Sequence, residues 1–144
     1  MGHGNEALLL TILAIVGVFL LVMLAIHVFI CWLLYDAWNR VPPQCREGEP
    51  WHAWLLLVPI CNLVMPFFVH PRISRSYRNL FAAYQMPPED DCGEQLGFTY
   101  AVCSACSVVP YVGLLAALAA LVIIIMYLLK IGRLKARFAQ PRQG

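Results

Sequence analysis

The side chains in this sequence whose spacing could support chemistry are two histidines, two cysteines, one asparagine and three arginines. His27 and His52 lie toward one side of two successive apolar runs, and paired imidazoles on neighbouring helices can ligate haem. The competing expectation is two interfacial histidines, because His52 stands between Trp51 and Trp54, where a ligand pair would need deep burial. Cys103-Ser-Ala-Cys106 is a C-x-x-C, a redox motif when it opens a helix. Here it falls in mid-run, where thiols behave as small apolar residues, and no second C-x-x-C completes a zinc site.

Asn62, flanked by Pro59 and Pro66, is a polar residue inside a run otherwise apolar enough to enter a bilayer. Such a residue marks either a ligand or ion path through a proline-broken helix, or an interhelical hydrogen bond. No intramembrane Asp, Glu or Lys accompanies it to couple an ion, and the two halves of the chain show no convincing repeat. Arg72, Arg75 and Arg78 follow that run and could hold anionic lipid headgroups, or serve only as charge retained on one membrane face. A Gly-rich phosphate loop, a Ser-His-Asp set and a carboxylate pair are all missing from the sequence. The expectation is therefore no catalytic residue, no metal and no cofactor.

The elements that must position these residues follow from composition. The 144 residues are 61% hydrophobic and 12% charged, outside the range of soluble domains. From Ala7 to Tyr35 only Thr11 and His27 interrupt the apolar residues, which predicts a helix of roughly 43 Å, longer than the hydrocarbon core of about 30 Å. Trp32, Tyr35 and Trp38 read as its interfacial belt. A second span is expected over 51–69. Pro66 cannot donate to the carbonyl of Asn62 and Pro59 cannot donate to that of Leu55, so neighbouring helices, Asn62 or a water must satisfy those groups. His70 before Pro71 predicts a bend, with Pro71 in the first turn of a new helix over about 71–85. There Ile73, Tyr77, Leu80, Phe81 and Tyr84 share one face, the pattern of a helix lying in a membrane surface. Leu96–Leu129 is too long for one crossing, and Pro110-Tyr-Val-Gly113 divides it into spans over 96–109 and 112–129, with a basic tail over 130–144. Gly97, Ala101 and Ala105, then Gly113 with Ala117 and Ala116 with Ala120, form small-residue stripes that let helices approach closely.

The fold expected is an all-α, four-helix membrane bundle in a single domain, 1–144, with a cytoplasmic amphipathic helix between the second and third spans. With four spans, eight Lys and Arg share one side and two lie in the first loop, which places both termini in the cytoplasm. With three spans the split is seven to three. The expected partners are the lipid bilayer, anionic lipids, and a membrane protein or a second copy of the chain. Nucleic acid is not among them, since no basic, aromatic surface is present. The function expected is a non-enzymatic accessory or structural membrane component. Binding or transport of a small molecule, ion or lipid near Asn62 is the alternative, and a membrane redox or haem protein the second alternative.

The run Trp54-Leu-Leu-Leu-Val-Pro59-Ile-Cys-Asn62-Leu-Val-Met-Pro-Phe67-Phe68, followed by Arg72-Ile-Ser-Arg-Ser76, resembles a signature of small bacterial multi-pass membrane proteins. In those proteins a W-L-L-L-x-P-x-x-N-L-V segment leads into F-F-V and R-x-S-x-S. Arg40-Val-Pro-Pro43 and Pro110-Tyr-Val-Gly113 match as well, so the similarity covers most of the chain from about residue 30. It departs at Met65 or Pro66, where the relatives often carry Trp. The resemblance implies the multi-pass fold and a bacterial inner membrane, and carries no activity.

Overall fold

The computed structural model describes residues 3–58, 60–88, 90–109 and 112–139, with side chains from residue 5 onward. Every regular element among them is helical: α1 (His3–Asn39), a 3-10 segment (Pro50–Leu57), α2 (Cys61–Val64), α3 (Pro66–Ala83), α4 (Glu94–Cys106) and α5 (Gly113–Ala139). Two of them, α1 and α5, are long and apolar enough to cross a membrane. The chain divides into two compact units, Met1–Ile30 and Cys31–Gly144.

The first unit is the larger part of α1. From Asn5 to Ile30 its side chains are exposed, apart from the half-buried Gly17, His27, Val28 and Ile30. A helix apolar all round is of the kind found either in the core of a large protein or across a membrane.

The second unit begins where α1 becomes two-faced. Cys31, Leu34, Ala37 and Trp38 are buried. The helix stops before Pro42-Pro43, and Arg46 reaches back to its unpaired end, donating from Nε and Nη2 to the Val41 carbonyl (3.1 and 2.7 Å) and from Nη2 to that of Asn39 (3.1 Å). The loop then lies along α3, with the Glu47 N–H on Ser76 Oγ (2.8 Å) and Asn79 Nδ2 on the Cys45 carbonyl (3.4 Å).

The segment expected as a second span is not one helix. Pro50 opens a 3-10 segment, where its missing N–H is needed by nothing. That segment closes with the Val58 N–H on the Leu55 carbonyl at 3.2 Å, so tighter local pairing satisfies the group expected to need a neighbouring helix. Pro59 itself lies outside the described residues. After the single turn of α2, the Met65 N–H takes the Cys61 carbonyl (2.7 Å) and the buried Pro66 occupies the first position of α3.

Pro71 stands inside α3, not at the start of a new helix, and no bend separates it from His70. The hydrogen bond lost at Pro71 is offset by burial: Val69, His70, Pro71 and Ile73 are all enclosed. The amphipathic face of α3 is likewise covered by protein rather than laid on a surface. Ile73, Tyr77, Leu80 and Phe81 are buried, Tyr77 Oη donates to the Ala37 carbonyl (2.8 Å), and Phe81 packs on Phe138 with centroids 4.7 Å apart. Tyr84 alone of that face stays exposed.

α4 and α5 form the expected hairpin, the most extensive helix pair of the unit. Pro110 and Tyr111, between them, lie outside the described residues. α4 has 13 residues, about 20 Å, too short to cross a hydrocarbon core of about 30 Å by itself. Gly113, Ala116, Ala120, Ile124, Tyr127, Ile131 and Leu134 make a buried stripe on α5 at helical spacing, so Ala116 and Ala120 pack while Ala117 faces out. The opposite face exposes Leu114, Leu118, Leu121, Ile125 and Leu129.

Candidate functional site

Where α3, α4 and α5 meet, the second unit encloses a polar cluster. The His70 side chain is fully enclosed, with its ring between those of Tyr100 (4.9 Å) and Tyr127 (5.0 Å). His70 Nδ1 lies 3.1 Å from the Pro66 carbonyl, which can only accept, so Nδ1 carries the proton. That leaves Nε2 an acceptor, buried and without a partner among the described residues. Tyr127 Oη donates to the His70 carbonyl (2.9 Å) and stands 3.4 Å from Ser74 Oγ. Gly97 lets α4 approach this closely, since a Cβ there would lie 2.6 Å from that of His70. In the sequence His70 stands out only as the residue before Pro71; the one signal pointing to this cluster is the polar Tyr127, alone in the apolar run of α5.

Asn62 is half-buried on α2. Its Oδ1 is enclosed and accepts nothing, and its amide makes no hydrogen bond to another helix among the described residues. The interhelical cross-bond expected of it is therefore absent there, and an unmade acceptor is left in its place. Asn62→Leu is expected to leave the melting temperature of the detergent-solubilised protein unchanged or raise it by a few degrees, because it removes an unsatisfied group. A drop of more than a few degrees would show that the amide holds the fold.

The other candidates are dispersed. His52 stacks on Trp51 (4.2 Å) with Nδ1 at 2.7 Å from the Glu49 carbonyl, whereas His27 belongs to the first unit. Cys103 is half-buried and Cys106 exposed, both as free thiols, and they close α4 rather than open it. Among the described residues no three His, Cys, Asp or Glu side chains group as metal ligands.

The charges gather instead at one end of the hairpin. Glu94 accepts from Arg75 Nε (2.7 Å) and Arg78 Nη1 (3.2 Å), so two of the three expected lipid-binding arginines are held by a carboxylate. Asp91 caps α4 through the Gly93 and Gln95 N–H groups (3.0 and 2.7 Å) and pairs with Lys130 (3.0 Å). Burial pushes the Asp91 carboxyl up, but the two N–H groups and Lys130 outweigh it and hold it below its ordinary value. Asp36, at the end of α1, bonds Lys135 of α5 and Arg40 (3.2 Å).

Fold and site together define an all-helical protein with two helices of membrane-crossing length and a charged belt. No protein-family model, curated protein or solved structure matches the chain.

Proposed function

We propose that this chain is a small integral membrane protein, a non-enzymatic accessory or structural component of a bacterial inner membrane. α1 is its one full crossing, and the α4–α5 hairpin enters the bilayer from the side that holds the charges. The carrying observation is the Asp36–Lys135 pair with the Tyr77–Ala37 hydrogen bond, which ties the end of α1, α3 and the base of the tail together. Four crossings would put the first loop and the tail on opposite faces, and this packing favours the same face. The segment between Glu49 and Pro66 leaves and returns to α3: loop residues 47 and 45 bond Ser76 and Asn79, only about 15–20 Å along that helix from Pro66, too shallow for a crossing. All ten Lys and Arg then share one face and the N-terminus has none, a sharper split than the four-span count. No Asp, Glu, Lys or Arg occurs between Leu96 and Leu129, which supports the hairpin's immersion.

The test is labelling with a membrane-impermeant maleimide in a chain whose six cysteines are replaced by Ala or Ser. Asn5→Cys should label in intact cells, while Gln44→Cys and Arg133→Cys should label only in inverted vesicles. Labelling of Gln44→Cys and Arg133→Cys from opposite faces would restore the four-crossing arrangement with both termini cytoplasmic. Release of the chain from membranes by alkaline carbonate would overturn the membrane reading itself. A second reading, ligand binding near Asn62, draws on its enclosed and unpartnered Oδ1.

A further inference from the structure

Along the α3–α4 side of the second unit runs a groove of about 650 Å³ whose lining changes character from one end to the other. Phe67, Phe68 and Phe98 give it an aromatic part, with Phe67 edge-on to Phe98 at 5.8 Å; Arg72, Arg75, Asp91 and Glu94 give it a charged part. These charges differ in how far they are already satisfied. Arg75 and Arg78 share Glu94, and Lys130 is taken by Asp91. Arg72 has no carboxylate within ion-pair distance among the described residues, and its guanidinium lies over the Phe68 ring, 5.9 Å from the centroid. Of the charges that line the groove, Glu94 and Asp91 are taken up by Arg75, Arg78 and Lys130, which leaves Arg72 as the lining cation without a carboxylate.

We propose that this groove holds one anionic phospholipid, its phosphate on Arg72 and an acyl chain along Phe67, Phe68 and Phe98. The inference rests on the membrane reading above. A guanidinium already held over an aromatic ring loses less freedom when a phosphate takes its open edge. A free phosphate would use the charge and leave the aromatic walls bare, whereas a lipid uses both. The groove also adjoins the base of the immersed hairpin, since Phe98 and Glu94 are successive turns of α4. The arginine expected among three equals is singled out because Glu94 holds the other two.

The full chain, reconstituted in phosphatidylcholine vesicles containing phosphatidylglycerol and then delipidated, is examined by native mass spectrometry for retained lipid. The wild type should retain phosphatidylglycerol over phosphatidylcholine. Arg72→Gln should lower that preference about fivefold, and Arg133→Gln, an equal charge change on an exposed residue outside the groove, by less than about twofold. Glu94→Gln, which frees Arg75 and Arg78, should raise the preference more than Asp90→Asn does. Equal loss in Arg72→Gln and Arg133→Gln would reduce the effect to diffuse surface charge and overturn the site. So would displacement of the lipid by inorganic phosphate, or a groove closed by a second copy of the chain. A chain that resists carbonate extraction yet shows no lipid preference sinks the groove alone, while one released by carbonate sinks the membrane reading. Arg72→Gln should melt with the wild type, so a lower preference is read on a folded protein.

Discussion

Gly97→Ala is expected to lower the melting temperature of the detergent-solubilised protein, although the same replacement in an open helix raises it. Helix propensity alone favours Ala over Gly by up to about 1 kcal/mol. At residue 97 the added methyl would sit 2.6 Å from the Cβ of His70 and 3.2 Å from the Tyr127 ring. The first of these atoms cannot swing away, because it is fixed to the backbone of α3. Relief requires α4 to move off α3, which breaks the burial of His70 and Ala101 and strains the Tyr127 hydrogen bond to the His70 carbonyl. Overpacking of this kind destabilises by about 1–3 kcal/mol, and Gly97→Val, bulkier and β-branched, should reach or exceed the upper end. The two effects have opposite signs, so thermal melting separates them. A Gly97→Ala protein that melts higher than the wild type would mean that α3 and α4 do not meet at this point.

Trp38→Ala should be the most damaging of the tryptophan substitutions. Trp38 is wholly buried, whereas Trp32 and Trp51 are 49% and 54% exposed. Its ring fills the space beneath the first loop, beside Gly48 and 6.3 Å from the His52 ring centroid. Deleting a buried ring of that size removes about 3–5 kcal/mol, enough to undo the attachment of the loop to α1. Trp38→Phe should cost far less, because the Nε1–H of Trp38 is buried with no acceptor among the described residues and its removal recovers part of the lost packing. Denaturant unfolding followed by far-UV circular dichroism measures both. Equal losses for Trp38→Ala and Trp32→Ala would contradict the burial.

That tryptophan shows where sequence reasoning reached its limit. Trp32, Tyr35 and Trp38 read alike as an interfacial belt, and the structure separates them, leaving Trp32 exposed and enclosing Trp38. Periodicity reports that residues share a helix face, not what covers it. The same ambiguity governs α3, whose apolar face was legible residue by residue while its cover, the end of α1 and Phe138 of α5, was not. Prolines were informative about the bonds they remove and uninformative about how those bonds are replaced. The Leu55 carbonyl is satisfied by a 3-10 turn without a neighbour, and Pro66 takes the first position of a helix instead of breaking one. Of the candidate site, the three arginines were found by type, but only their distances to Glu94 distinguish Arg72 from Arg75 and Arg78.

The sequence by itself determined that the chain is helical and rich in apolar runs; four of them read as spans, and two helices of the structure are long and apolar enough to cross a membrane. These follow from local chemistry: hydrocarbon content, helical period and proline's missing N–H act within a few residues of where they are written. The tertiary structure decided the rest. It joins Asp36 to Lys135 and Tyr77 to Ala37, seats His70 against Gly97, and draws loop, α3 and tail base together. Such contacts link residues 27 to 99 positions apart, and their energies depend on which helix faces meet, a quantity that no local pattern encodes.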